Sequence, residues 1–284
     1  MKVGCSIWLG LTVWLALPAA SSAYTRSQSE TSGRNLWWRN REVVMHLNGS
    51  CSADVAPAAC TKAVVAGLQT WSRSNCSDFK FTYGGASERR DLGYDQAYPE
   101  NNMNLIRWIE QDWELIHPVP GSQLIVALST VSYNQKTGEI YDADISFNGE
   151  FFQFVVGPSG PSAEAGKRPQ IIQNVMAHEV GHALGLGDLY GTQDAGAVMY
   201  GVSGGEEEPE VKALSPDDAK GLCAIYPMGQ PTPEQLLPAS DTWQVAPYEQ
   251  PLPTPGCNHV PPGQGMLWMT LAGMLGIASR FRLR

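Results

Sequence analysis

The chain has 284 residues, 43% of them hydrophobic and 17% charged, and a formal net charge of −9. That balance gives one substantial globular domain with terminal extras and excludes a disordered chain. Lys2, Arg280, Arg282 and Arg284 lie in terminal segments without acids. Setting those four aside from the 19 basic residues leaves 15 against 28 acids, so the body carries −13 and no nucleic-acid partner is expected.

In chain order, residues 1–23 combine an early Lys2, an apolar run through Leu17 and small residues before Tyr24. They read as a secretory signal peptide cleaved after Ala23, which places the protein outside the cytoplasm, secreted or at the cell surface. Export changes the reading of the cysteines. Cys5 falls in the leader and Cys257 in the tail, leaving Cys51, Cys60, Cys76 and Cys223. Four thiols in an oxidising compartment suggest two disulfides with three connectivities. The preferred one is Cys51–Cys60, a local link, with Cys76–Cys223 tying the two ends of the domain. There is no C-x-x-C pair to support a cysteine zinc cluster.

Residues 24–35 form a short segment ahead of the domain. The stretches REVVMHL (41–47) and FKFTY (79–83) carry the apolar and aromatic residues of strands. Between them Cys60, Val64, Leu68 and Trp71 recur at helical spacing, and Pro57 sits near the start, where a missing N–H costs little. Residues 84–122 are polar and then read LIRWIEQDWELI, which fits a short helix or an insertion loop. QLIVALSTV (123–131) reads as a buried central strand and EIYDADISF (139–147) as another.

The chemistry lies in NVMAHEVGHALGLGDLYG, residues 174–191. His178 and His182 are four apart, so on a helix their imidazoles share a face and can grip one metal ion. Glu179 lies beside them as a candidate general base and acid. Gly185 can take positive φ and turn the chain so that Asp188 reaches the same ion. Three protein ligands with one open position define a catalytic zinc site. Of the other histidines, His46 and His117 lie far upstream and His259 sits in the tail, so no downstream His can complete the set. Other carboxylates remain as substitutes: Asp194, and Glu206, Glu207, Glu208 and Glu210 in the Gly- and Pro-flanked loop GVSGGEEEPEV.

Further on, LSPDDAKGLCAIYP reads as a closing helix with Ser215 as N-cap and Pro216 at its first position. Ten of the 20 prolines fall between 227 and 262, which marks residues 228–256 as a Pro-rich linker. Residues 257–284 begin with Gly256-Cys257 behind them and run through an apolar stretch, Met266 to Ala278, to three arginines in the last five positions. They read as a sorting or membrane tail.

These motifs resemble the metzincin zinc metalloproteases, and within them the matrixin-like enzymes, over residues 36–227. AVMYG matches the family's Met-turn, which implies Met199 as a hydrophobic floor beneath the metal. DADISFNG matches the strand before the active-site helix, and LSPDDAKGLCAIYP matches the closing helix. The resemblance implies an α+β fold: a twisted, mixed five-stranded sheet packed with long helices, with a cleft between upper and lower subdomains. It also implies that the edge strand lies around Ala143 to Asn148 and offers Ala143, Ile145 and Phe147 to substrate backbone. Asp in the third ligand position has precedent among small secreted bacterial members. The implied activity is zinc-dependent endoproteolysis of protein or peptide substrates by a monomer, with structural calcium as a further ion and Asp142 and Asp144 as candidate donors. The cysteine-switch prodomain of vertebrate matrixins has no counterpart before NLWWR. The tail resembles myxobacterial sorting signals, which implies that Cys257 marks a processing or attachment region and that the tail is membrane-inserted or cut by a sorting enzyme. The competing expectation is a zinc-stabilised surface adhesion module without activity, against which the intact Glu179 argues.

Overall fold

The computed structural model describes residues 24–157, 167–202 and 212–237. The leader, Cys257 and the tail, residues 238–256 of the linker, and Glu206, Glu207, Glu208 and Glu210 lie outside the described residues. In chain order the elements are β1 (Thr25–Arg26), β2 (Trp37–Trp38), β3 (Glu42–Asn48), α1 (Pro57–Thr70), β4 (Lys80–Ser87), β5 (Asn104–Ile109) and α2 (Trp113–Ile116). They continue with β6 (Ala127–Tyr133), β7 (Glu139–Asn148), β8 (Phe152–Val155), β9 (Arg168–Ile171), α3 (Ile172–Leu184), β10 (Leu186–Gly187) and α4 (Pro216–Ile225).

Five principal strands make a mixed sheet in the order β4-β3-β5-β7-β6, all parallel except β6, and short β2 adds to β7 beside β5. This is the α+β architecture that the resemblance implies. The period-2 pattern of β3 buries Val43, Met45 and Leu47, and these join Val64, Leu68 and Trp71 of the α1 region and most of α3 in one core. Pro57 starts α1 as expected. The cysteines pair as Cys51–Cys60 and Cys76–Cys223, with Cα atoms 6.1 and 5.5 Å apart, separations that suit disulfides. Among the described residues no helix is long and apolar enough to cross a membrane.

Three expectations need correction. First, Ala143, Ile145 and Phe147 do not lie on an edge. Their strand, β7, is flanked by β5 on one side and β6 on the other, and all three side chains are fully buried. Among the described strands β6 pairs only with β7, so Ala127–Tyr133 is one edge of the sheet and β4 the other. The apolar run around β6 looked central because Ile125, Val126 and the first four residues of β6 are buried; Ser122–Leu124 before them is a 3-10 turn. Second, LIRWI is neither helix nor loop but β5, in the middle of the sheet, with the single turn α2 after it. Its two flanking strands supply the backbone partners that override its mixed local pattern. Third, the linker does not begin at 228. Met228 N–H donates to Cys76 O at 2.9 Å, Thr232 is fully buried, and Glu234 is held by Arg26. Residues 228–237 therefore belong to the folded unit.

Candidate active site

Helix α3 follows β9 directly and is buried over nearly its whole length, so its register is fixed by packing on every side. Trp71 Nε1 donates to Ala177 O at 2.7 Å, anchoring the turn before His178. The helix stops at Gly185, whose φ of 100° is left-handed. A Cβ there would stand 2.5 Å from Leu36 O, so both conformation and space demand glycine.

Beyond that turn Asp188 comes back to the histidine face. His178 Nε2 and His182 Nε2 are 3.0 Å apart, and Asp188 Oδ1 lies 3.1 and 3.3 Å from them. Each ring's other nitrogen faces a carbonyl: His178 Nδ1 is 2.8 Å from Val198 O, and His182 Nδ1 is 3.0 Å from Leu186 O. A carbonyl can only accept, so each Nδ1 carries a proton and each ring directs its Nε2 inward, where it can serve as a lone-pair donor to a metal. Three lone-pair donors thus converge on one point. Donors placed 2.0–2.1 Å from a tetrahedral zinc are about 3.3 Å from one another, so the residues present fit such an ion. Burial opposes charge on His182, yet the Asp188 carboxylate outweighs burial and raises the imidazole to about 9. Burial likewise works against the Asp188 carboxylate, but the two imidazoles hold it well below the usual range. A cation that binds here must displace that proton.

Glu179 lies on the same helix but is not one of the converging donors. Ser129 Oγ of β6 lies 2.8 Å from its Oε2 and 2.9 Å from its carbonyl, while Oε1 has no hydrogen-bond partner. Met199 is buried against the histidine face: a Cβ on Gly181 would meet Met199 Sδ at 2.1 Å and Trp71 at 2.8 Å. Gly181 shares that face with His178 and His182, so the second x of H-E-x-x-H is glycine because the Met-turn occupies its space. Asp194 sits in a separate turn with Gln193 and does not join the converging donors.

Several residues here were not singled out from the sequence. Ser129 orients Glu179, and the signal was a hydroxyl inside an otherwise apolar strand run. Tyr190 OH donates to Asp188 Oδ2 at 2.9 Å, leaving Oδ1 for the histidine pair. Asp218 of α4 is 1% exposed and accepts from Val198 N, Met199 N and Ser215 N at 2.8, 3.2 and 2.8 Å. Its signal was the capping-box spacing Ser215-x-x-Asp218, which the structure confirms at the start of α4. Since Val198 O in turn orients His178, Asp218→Asn, which loses one acceptor oxygen, is expected to destabilise the fold by about 1–3 kcal/mol in urea unfolding.

Asp142 and Asp144 lie on the opposite face of β7, each 1% exposed and opposite Ser132 and Thr130. Gly93 N–H and Leu105 N–H donate to Asp144 at 2.6 and 2.8 Å. Burial, then repulsion from Asp144, pushes Asp142 up to about 9. Burial raises Asp144 to about 6 against the pull of those two amides. A carboxyl whose folded pKa is raised keeps a proton that the unfolded chain loses above about pH 4, so its contribution to stability fades as pH climbs from there toward 9. Asp142→Asn is therefore expected to gain at least about 1 kcal/mol over the parent at pH 8–9 and much less at pH 4–5, read from urea midpoints across that range.

The matrixin peptidase family model matches residues 37–227, more than half of the 284. No curated protein matches the chain. With that match spanning the sheet, the H-E-x-x-H helix and the closing helix, the chain belongs to the matrixin family of metallopeptidases.

Proposed function

We propose that the chain is a secreted or surface-attached zinc endopeptidase of bacterial type, with His178, His182 and Asp188 as the ligands. The observation that carries this reading is the convergence of the two Nε2 atoms and Asp188 Oδ1, with the Oε1 of Glu179, the residue after His178 on the same helix, left without a hydrogen-bond partner. His178, His182 and Asp188 would hold the zinc, which would supply Lewis acidity toward a substrate carbonyl and a water molecule. Glu179 Oε1 takes the water's proton and returns it to the leaving amine nitrogen. Ser129 holds the other carboxylate oxygen so that Oε1 stays aimed. Tyr190 occupies Asp188 Oδ2 and so favours a single-oxygen contact from Oδ1. The free edge of β6, which also carries Ser129, can take extended substrate backbone as an added strand.

Export is supported by the leader sequence and by the two disulfides, which belong to an oxidising compartment. Surface attachment rests on the tail sequence, Gly256-Cys257 and the apolar run before its arginines. Calcium at Asp142 and Asp144 has a direct test. A calcium-dependent rise in Tm that Asp142→Asn abolishes would assign the ion there.

The experiment for the main reading combines metal analysis with a peptide-library assay on the purified chain. One zinc per chain and chelator-reversible cleavage are expected. Zinc-loaded protein that cuts no peptide would sink the protease reading in favour of a binding module.

A further inference from the structure

The family match runs from residue 37 to residue 227, yet the segment before it packs on the ligand turn and the segment after it packs on that first segment. Between His182 and Asp188 the backbone turns through Gly185 and Gly187, which have no side chains with which to pack. Its conformation depends on what its carbonyls bond to. Trp38 and Tyr226 of the matched domain hold Ala183 O and Leu184 O, and from Gly185 onward four bonds come from the N-terminal flank. Ser27 N and Arg26 Nε donate to Gly185 O at 2.9 and 3.3 Å. Ser27 Oγ donates to Leu186 O at 2.9 Å, and Thr25 Oγ1 to Asp188 O at 3.0 Å. Strand β1 pairs antiparallel with β10, Thr25 against Gly187 and Arg26 against Leu186. A Cβ on Gly187 would meet Thr25 Oγ1 at 2.7 Å, so the turn and the strap are fitted to one another.

The second flank closes on the first. Arg26 Nη1 lies 3.1 Å from Glu234 Oε1, with side chains only 14% and 6% exposed. Arg26 Nη2 donates to Leu36 O at 2.8 Å, and Asn35 Nδ2 donates to Glu234 Oε1 at 3.2 Å. One guanidinium thus ties three pieces together: the strap, the metal-ligand turn and the segment after the matched domain. A buried pair of this kind adds little to net stability but fixes geometry, because either partner left alone is costly.

We propose that residues 25–36 and 228–237 form a clasp that positions Asp188, with Arg26 and Glu234 as its positioning residues. The inference rests on the reading of Asp188 as a ligand and adds what holds it in place. Glu234→Gln in the full-length chain is the mild test, since it removes the charge but keeps an acceptor for Asn35. Thr25→Val removes the bond to Asp188 O alone.

Two readouts are needed. In metal-free protein, amide hydrogen exchange over Leu186–Leu189 should quicken roughly tenfold in both variants, with β3 and β5 unchanged. Zinc affinity, measured by competition with a chromophoric chelator, should weaken roughly tenfold. Unchanged exchange at the turn overturns the clasp. Exchange that rises equally throughout the sheet also overturns it, because the residues would then only support the fold. If the turn loosens but zinc affinity holds, Asp188→Ala assigns the failure. Zinc lost from that variant overturns the positioning claim, whereas zinc retained by it overturns the ligand reading beneath it.

Discussion

Glu179→Gln is expected to lower kcat/KM for peptide cleavage by about 10²- to 10⁴-fold while zinc stays at one per chain. The geometry predicts this separation. Glu179 is not among the three converging donors, so losing its charge leaves the ligand set intact. Gln is nearly isosteric, and its amide oxygen can still accept from Ser129 Oγ, 2.8 Å from the native Oε2. What it cannot do is take a proton. KM should therefore change little and kcat should carry the loss. Single-turnover cleavage with parallel metal analysis checks both halves. Near-parental kcat at full zinc occupancy would show that Glu179 is not the base. Ser129→Ala gives a graded comparison: its carboxylate keeps its chemistry but loses its anchor, so a smaller loss in kcat is expected.

How much of this was readable beforehand follows the range of each interaction. His178 and His182 were legible because their relation is local, four residues on one helix face. Asp188 was legible through Gly185, whose positive φ of 100° is what a turn back toward the helix requires. The closing helix announced itself by Ser215 and Pro216. The strand at 104–109 was not legible, since its buried and half-buried residues do not alternate cleanly. Only the placement of β3 and β7 on either side decides its conformation. The edge strand was misassigned for a similar reason. Ala143, Ile145 and Phe147 alternate as a one-sided strand would, but Asp142 and Asp144 on the other face are buried too. Period 2 reports faces, whereas edges depend on topology. Ser129, Asp218 and Arg26 act across 50, 20 and 159 residues of sequence, and no local pattern predicts such pairings.

Asp188→Ala is the second large effect, and its readout is the metal. Structural zinc sites are worth about 10–16 kcal/mol over four ligands, so one protein ligand accounts for roughly 3–4 kcal/mol, or about 10²- to 10³-fold in affinity. The loss should reach that range because nothing nearby can substitute: among the described residues no other His, Cys, Asp or Glu joins the cluster. The vacancy would also leave Tyr190 OH without the carboxylate oxygen it now contacts at 2.9 Å. Asp188→His separates ligation from charge. An imidazole restores a third lone pair and should recover most of the affinity, but it leaves the site with one more positive charge. The ion then becomes a stronger acid, and the acid limb of the pH–rate profile should move downward. Equilibrium dialysis and a pH series on the two variants test this together. Full zinc occupancy in Asp188→Ala at micromolar zinc would remove Asp188 from the ligand set. An unmoved acid limb in a fully loaded Asp188→His enzyme would show that the carboxylate holds the metal without tuning it.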